Sequence, residues 1–407
     1  MDTIIKIAWR DLWRNKKRTF ITMGSIMLAV FLAMFMRSMQ IGSYNNMILA
    51  GVTEVGYLQV HDAGYWNNKS INKSFVYTET LKKKIENTEN VSTLIPRLES
   101  FALGSFVNQT KGVFVIGTNP EIEDQQTHLS RKIVKGRYLK KNDTGILLAE
   151  KLAKFLKADV NDTIVILGQG YQGITAAGKY HVVGILKFLD QEQDNKMVYM
   201  SLTNTQNMIS PYVPDILSSL SVMLDKPNRM KETQAELQKT LGNNYEVITW
   251  RKVLSEMVQT IQGDNAGGII MLLILYIVVG FGIFGTVLMM TLERKREFAV
   301  MVSVGMQRGK LSLVILMETI VIGLLGVLCG IAVSLPFLIY LHFNPIGVTG
   351  EIANMMIQYN MTPAIPFSLK GYIFFNQGIT VLILALVASL YPIIIISRFK
   401  ILSALRG

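Results

Sequence analysis

The stretch Glu293–Lys310, ERKREFAVMVSVGMQRGK, decides how the rest of the chain is read. It is charged at both ends and lies between two long apolar runs, Gly267–Leu292 and Leu311–Leu341. About 20 apolar residues cross a bilayer at a rise of about 1.5 Å each, so either run is long enough. Arg294, Lys295, Arg296, Arg308 and Lys310 place the segment on the cytoplasmic side, where basic residues accumulate beside spans. A stop-transfer flank needs only that charge. Here Phe298, Met301, Val302 and Gly305 also recur at helical spacing, which gives the segment an apolar face. A short amphipathic helix at this place is a handle that a soluble partner can push.

The composition agrees with a mixed chain. Its 407 residues are 50% hydrophobic and 17% charged, with a mean hydropathy of +0.32. That is too apolar for an ordinary soluble protein and too charged for one wholly within a membrane, so a few spans plus a sizeable soluble domain are expected. The one cysteine, Cys329, lies in an apolar run and excludes a disulfide framework or a cysteine-based metal site. His61, His128, His181 and His342 show no ligand spacing, so no metal site is expected. Between Gly42 and Gln262 there are 25 basic and 22 acidic residues, so most of the net charge of +12 flanks the spans. That distribution suits a cytoplasmic face against anionic headgroups rather than nucleic acid, which would want the charge on the soluble domain.

The expected fold is an α-helical membrane protein with four transmembrane helices and a large α+β extracytoplasmic domain inserted between the first and second spans. Residues 1–19 read as an interfacial helix on the cytoplasmic leaflet. Ile5, Ala8, Trp9 and Leu12 form its apolar side, Arg10, Arg14 and Lys17 its charged side, and Trp9 and Trp13 sit at headgroup level. The first span covers residues 20–41; it is too long for a signal-peptide core and no clean cleavage site follows, so an uncleaved anchor is favoured. Residues 42–262 form the outer domain. Strands are expected at Tyr57–His61, Gly112–Gly117, Gly145–Leu148, Thr163–Leu167, Tyr180–Leu186 and Met197–Ser201. Helices are expected at Glu79–Asn87, Glu150–Leu156, Leu202–Ile209 and Arg229–Leu241, in a domain of two parts, with a further helix, Arg251–Ile261, running straight into the second span. The second span is 263–292, the cytoplasmic loop 293–310, the third span 311–341, a short outer loop 342–370, the fourth span 371–397 and a cytoplasmic tail 398–407. Gly323, Gly326 and Gly330 permit close helix packing in the third span, and Pro336 is expected to kink or end it.

No catalytic constellation stands out. GxxxxGK[ST] does not occur. Gly168, Gly170 and Gly173 spell GxGxxG, but strand-like residues rather than a helix follow, so a glycine-rich loop between strands is the expected reading. The acceptor-like tracts at Asn68, Asn108 and Asn161 are accidental in a bacterial protein. Glu318, inside the third span, is the residue whose chemistry demands an explanation: a transport role, an interfacial position, or a pair with a neighbouring helix.

Four separated parts of the chain resemble one family. WRDLWRNKKRTFIT is similar to the amino-terminal helix and first span of ABC-transporter permeases of the FtsX-like superfamily, in the branch of MacB and the lipoprotein-releasing LolC and LolE proteins. GYLQVHDAGY, VIGTNPEIE, KGRYLKKNDTGILLAEKLAKFLKADVNDTIVIL and HVVGIL resemble its periplasmic domain. ERKREFAVMVSVGMQRGKL resembles the loop carrying its coupling helix, and YPIIIISRFKILSALRG its carboxy-terminal ending. Ile393, Ile394 and Ile401–Ser403 depart from the usual ending, and a fused ATPase domain is not expected.

The resemblance implies mechanotransmission: a separate cytoplasmic ATPase dimer, which would hold the ATP and magnesium, drives two permeases through their coupling helices, and work is done on the outer side. The second permease would be another copy or a paralogue. By the same resemblance Glu293, Arg294, Arg296, Glu297, Gly305 and Met306 would dock on the ATPase. Met27, Phe31, Met34 and Phe35 are candidates for an apolar acyl-chain groove, or simply face lipid. The permease itself is expected to be no enzyme and to reside in the bacterial inner membrane with both termini cytoplasmic. Lipoprotein release is the first expectation. A MacB-like exporter working with a periplasmic adaptor, an FtsX-like regulator of a cell-wall hydrolase and a sensor of antimicrobial peptides are the alternatives, the last usually built with more spans.

Overall fold

The computed structural model describes residues 9–10, 13–14, 16–188, 190–358 and 361–398. The chain divides into two compact units, one of residues 1–45, 259–348 and 364–407, the other of residues 46–258 and 349–363.

Among the described residues four helices are long and apolar enough to cross a membrane. They run Lys16–Val55, Ser255–Glu293, Arg308–Phe343 and Gly371–Arg398, and are called the first to fourth spans below. The first helix extends beyond the boundary read from sequence at residue 41. Nothing in residues 42–55 breaks it until Gly56, whose φ of +83° stops the run while its N–H still caps the carbonyl of Val52 at 2.7 Å. Pro336 does not end the third helix, which continues to Phe343. The expected continuous helix into the second span is broken: Trp250–Val253 stops at Leu254, with ψ 45°, and a new helix starts at Ser255.

The helices of the first unit share a core of Ile26, Val30, Met34, Ile283, Ile322 and Val381. Gly326 and Gly330 bring the third helix against the first. A Cβ at Gly326 would lie 2.7 Å from Cβ of Ile26, and one at Gly330 2.7 Å from Cβ of Val30. In a bilayer, where lipid is as apolar as leucine, this close backbone approach is what holds helices together.

The second unit is built on strands β1 (Leu58–Asp62), β2 (Phe75–Val76), β3 (Val91–Phe106), β4 (Gln109–Thr118), β5 (Ile133–Gly136), β6 (Ile146–Ala149), β7 (Thr163–Gln169), β8 (Thr175–Leu186), β9 (Met197–Ser201), β10 (Ile216–Leu217), β11 (Ser219–Leu224) and β12 (Tyr245–Thr249). Ten of them form one sheet in the order β12-β1-β11-β3-β4-β9-β6-β8-β5, with β7 pairing β3 and β8. The β4–β9 and β6–β8 pairs are parallel and the other pairs of this sheet antiparallel. β3 belongs to two cores at once. Its Leu94 packs with Leu58, Val60, Val222 and Trp250, while its Leu98 and Ala102 pack with Val113, Leu147, Ile164 and Val198. The glycine trio lies where expected, in the hairpin between β7 and β8.

Candidate functional site

The second helix ends at Glu293, Arg294 leaves helical geometry at φ −93° and ψ 3°, and a separate short helix runs Lys295–Ser303. Its end is a Schellman turn. The Met306 N–H bonds the Met301 carbonyl at 3.0 Å and the Gly305 N–H bonds the Val302 carbonyl at 3.1 Å. Gly305 sits at φ +108°, a conformation that a side chain would strain. Met301 and Met306 share one apolar cluster, the contact that accompanies this turn. The third span then begins at Arg308 behind Gln307.

Phe298 and Ala299 are buried against Leu311 and Ile315 of the third span, with Met301, Val302 and Met306 packed around them. Burying a phenylalanine alone is worth roughly 1.5–3 kcal/mol. The apolar face read from the spacing therefore faces inward.

Electrostatics fixes the same junction. Arg294 Nη1 donates to both carboxylate oxygens of Glu318, at 2.8 and 2.9 Å, and both side chains are buried. The Arg294 guanidinium also lies 5.0 Å from the Phe298 ring centroid, and its Nε reaches Glu297 at 3.4 Å. Glu297 in turn accepts from Arg14. Four alternating charges thus run from the amino-terminal segment through the short helix into the third span. The exposed Arg14–Glu297 end contributes little to stability, whereas removing one partner of the buried pair strands a charge and costs about 3–5 kcal/mol.

The residues expected to face a partner divide accordingly. Glu293 and Arg296 are exposed, Glu297 is exposed and tied to Arg14, Gly305 is exposed in its turn, Met306 is half-buried and Arg294 is inside. The sequence reading missed a stripe on the outer face. Arg296, Val300 and Val304 stand at spacing four, and Val304 is 85% exposed. The signal was that spacing, but valine beside a span reads as core. The reading also singled out Glu318 without its partner; it is the counter-ion of Arg294, the pair with a neighbouring helix rather than a lone acid.

Trp9 and Trp13 are half-exposed, 6.1 Å apart edge to face, and Trp13 meets Phe20 the same way at 6.5 Å. Arg10 is exposed. Ile5, Ala8, Leu12 and residues 399–407 of the carboxy-terminal motif lie outside the described residues. Met34 is fully buried between helices, while Met27, Phe31 and Phe35 are half-buried. Phe31 and Phe35 join Phe337 and Phe367 in an aromatic cluster with centroids 5.2–6.3 Å apart. Among the described residues there is no cluster of three or more metal-ligating side chains.

Comparison with known proteins agrees with this architecture. Residues 19–240 match the family model of the MacB-like periplasmic core domain, and residues 269–401 that of the FtsX-like permease C-terminal region. The chain is 20% identical over 409 residues to the lipoprotein-releasing system transmembrane protein LolE of Haemophilus influenzae, covering 96% of each chain. It is 22% identical over 353 residues to an uncharacterized ABC transporter permease, YknZ, of Bacillus subtilis, covering 81% of this chain and 84% of that one. The crystal structure of the extracellular domain of YknZ aligns with 47% of this chain and 99% of its own, at 15% identity and a TM-score of 0.35. Two family models in series, the first covering more than half the residues, identify the chain as a member of the MacB-like, FtsX-like family of ABC transporter permeases.

Proposed function

We propose that this chain is one permease of an ATP-driven lipoprotein-releasing system of the bacterial inner membrane, with both termini cytoplasmic and the α+β unit periplasmic. The observation that carries the motor part is the short helix Lys295–Ser303. It is locked to the third span by the Arg294–Glu318 pair and presents Arg296, Val300 and Val304 outward. A partner that pushes that face moves the span with it, because the buried charges leave no soft joint between them. The partner is a separate ATPase dimer that holds ATP and magnesium, docked through Glu293, Arg296, the Gly305–Met306 turn and the valine stripe. Arg294 and Glu297 position that face. The likeness to LolE over nearly both whole chains supports lipoprotein as cargo. Phe31 and Phe35 are the residues best placed to meet an acyl chain once the aromatic cluster opens, while Trp9, Arg10, Trp13 and Arg14 anchor the amino-terminal segment in the headgroups. The permease works beside a second copy or a paralogue.

A second reading, export of peptides or drugs with a periplasmic adaptor, is supported by the match to the MacB-like core domain. Co-purification of the tagged chain from its native membrane, with mass spectrometry of bound proteins, separates the two. A triacylated lipoprotein bound without nucleotide and lost when the ATPase is trapped with a non-hydrolysable analogue is the expected result. An ATPase with an adaptor and no lipoprotein moves the function to export. A hydrolase with neither makes the chain a regulator, and no ATPase at all removes the docking face from the mechanism.

A further inference from the structure

Arg37 is a charge at membrane depth with no direct ion pair among the described residues. It stands 17 residues after Phe20 on the first helix, about 25 Å along an axis that must cross roughly 30 Å of hydrocarbon. Its Nη1 donates to Gln40 Oε1 at 2.6 Å. Among the described residues no carboxylate lies within ion-pair distance of it. Asp264, the nearby acid, accepts from Tyr44 at 2.5 Å and from Gln40 at 3.5 Å, so it reaches Arg37 only through the Gln40 amide and not as a direct ion pair. A guanidinium has five N–H donors, so most of this fork is left to something outside the chain.

The fork opens into a cavity of about 350 Å³ between the first, second and fourth helices. That volume is at the small end of ligand pockets. Its walls hold two kinds of residue. Ile269, Leu272, Leu273 and Ile373 are apolar, while Tyr276, Tyr372, Asn376, Gln377 and Thr380 are neutral and polar. Three of the polar groups keep a donor unspent among the described residues, the Gln377 and Asn376 amides and the Tyr372 hydroxyl, while the Tyr276 and Thr380 hydroxyls have donated theirs within the protein. The Tyr276 hydroxyl donates to Gln377 Oε1, which uses the acceptor end of that amide and leaves its Nε2. Gln377 is 8% exposed and makes no other hydrogen bond among the described residues. Thr380 turns its hydroxyl to the Asn376 carbonyl at 2.8 Å, while the Asn376 amide and the Tyr372 hydroxyl have no partner among the described residues. One cation, several free donors and no acid lining the cavity recognise an anion. Apolar walls on the same cavity recognise what the anion is attached to.

We infer that this cavity binds the phosphate of an anionic diacyl phospholipid, with Arg37 on the phosphate oxygens, Gln377 and Asn376 as further donors, and the first carbons of the acyl chains against Leu272, Leu273 and Ile373. A guanidinium matches two phosphate oxygens at once, which an ammonium does not, and a charged hydrogen bond in so dry a place is strong. With the basic Lys16–Lys17 end of the helix on the cytoplasmic side, the lipid belongs to the outer leaflet. That leaflet rests on the topology proposed above; headgroup recognition in detergent does not, so the two can fail separately.

The test is native mass spectrometry of the full chain, delipidated in detergent and titrated with phosphatidylglycerol or phosphatidylcholine of the same chains. Retention of phosphatidylglycerol adducts about tenfold above phosphatidylcholine is expected, with Arg37→Gln losing that preference and Arg37→Lys keeping part of it. A second variant, Gln377→Leu, removes one donor without touching the charge and lowers retention while the chain stays monodisperse. Equal retention of the two lipids, or a preference unchanged in Arg37→Gln, overturns the assignment. So does displacement of the lipid by millimolar inorganic phosphate alone, which makes the cavity a free-anion site. Loss of self-association in Arg37→Gln with lipid adducts unchanged also overturns it, by putting a partner's carboxylate in the cavity.

Discussion

Arg294 and Glu318, 24 residues apart in sequence, meet inside the protein with one guanidinium nitrogen on both carboxylate oxygens. The pair joins the end of one span to the start of the next. Glu318→Gln leaves buried Arg294 with only the half-exposed Glu297 at 3.4 Å beside it, and a loss of up to about 3–5 kcal/mol is expected. Arg294→Gln takes the guanidinium away from Glu318. The double variant strands no charge and recovers part of the loss. Denaturant midpoints of the four proteins in one detergent check this, and equal loss in singles and double would show that the pair is not coupled.

The outward stripe of the short helix makes a different prediction. Val300 and Val304 are exposed and belong to none of the buried clusters among the described residues. Val304→Glu and Arg296→Glu are expected to leave the melting temperature within a degree or two, as surface changes within about ±0.5 kcal/mol do. Each is expected to weaken binding of the partner ATPase by at least about tenfold, the loss of one contact worth about 1.4 kcal/mol. Binding measured on immobilised permease in nanodiscs reads this directly. Unchanged affinity in both variants places the docking face elsewhere.

His61 gives the α+β unit a pH dependence. Its ring is buried, with Nδ1 donating to the Ser218 carbonyl at 2.8 Å and its face stacked on Tyr65 at 4.5 Å. Burial, against the opposing pull of the Ser218 carbonyl, pushes its pKa down to about 4. An unfolded histidine titrates near 6.5, so the unfolded chain binds the proton first. The contribution is therefore fully present above about pH 6.5 and is lost as pH falls towards about 4, to a limit of about 3 kcal/mol. His61→Gln is expected to flatten urea-denaturation midpoints across that window. A wild-type midpoint that does not move between pH 7 and 4.5 contradicts the buried neutral ring.

Gly326 and Gly330 predict a steric effect. A methyl group at either position enters the first helix, at Ile26 or Val30. Gly330→Ala is expected to cost about 1–3 kcal/mol by overpacking, and Gly330→Leu to separate the two helices. Gly282→Ala, on the second span where an added Cβ meets no neighbouring side chain or helix within 4 Å among the described residues, is the matched control and should be neutral or slightly stabilising. Resistance to unfolding in mixed micelles of rising SDS fraction ranks the three.

The spans were legible because twenty apolar residues have few alternatives, and the short helix because Phe298, Met301 and Val302 keep a helical beat between basic residues. The partner of Glu318 was not, since no period connects positions 294 and 318. β3 was missed as well. VSTLIPRLESFALGSF holds a proline and several small polar residues, and at Ser100 and Gly104 the inward positions are not apolar enough to mark a strand. It is held by β11, β4 and β7 rather than by its own propensity. β11 hid for a similar reason, its serines being buried on the sheet. The Arg37 cavity had one visible sign, a basic residue closing an apolar run, but its polar lining comes from two distant helices.

β3 also limits how the α+β unit can come apart. A boundary between two cores is normally a flexible linker that either side can leave behind. Here the boundary is a single extended strand, hydrogen-bonded on its first half to one core and on its second half to the other. Neither half can melt or pivot without tearing a ladder that belongs to its neighbour. The amides of Leu94 and Ala102 should then exchange with deuterium together, at the rate of global opening, and a force applied to either core is borne by both.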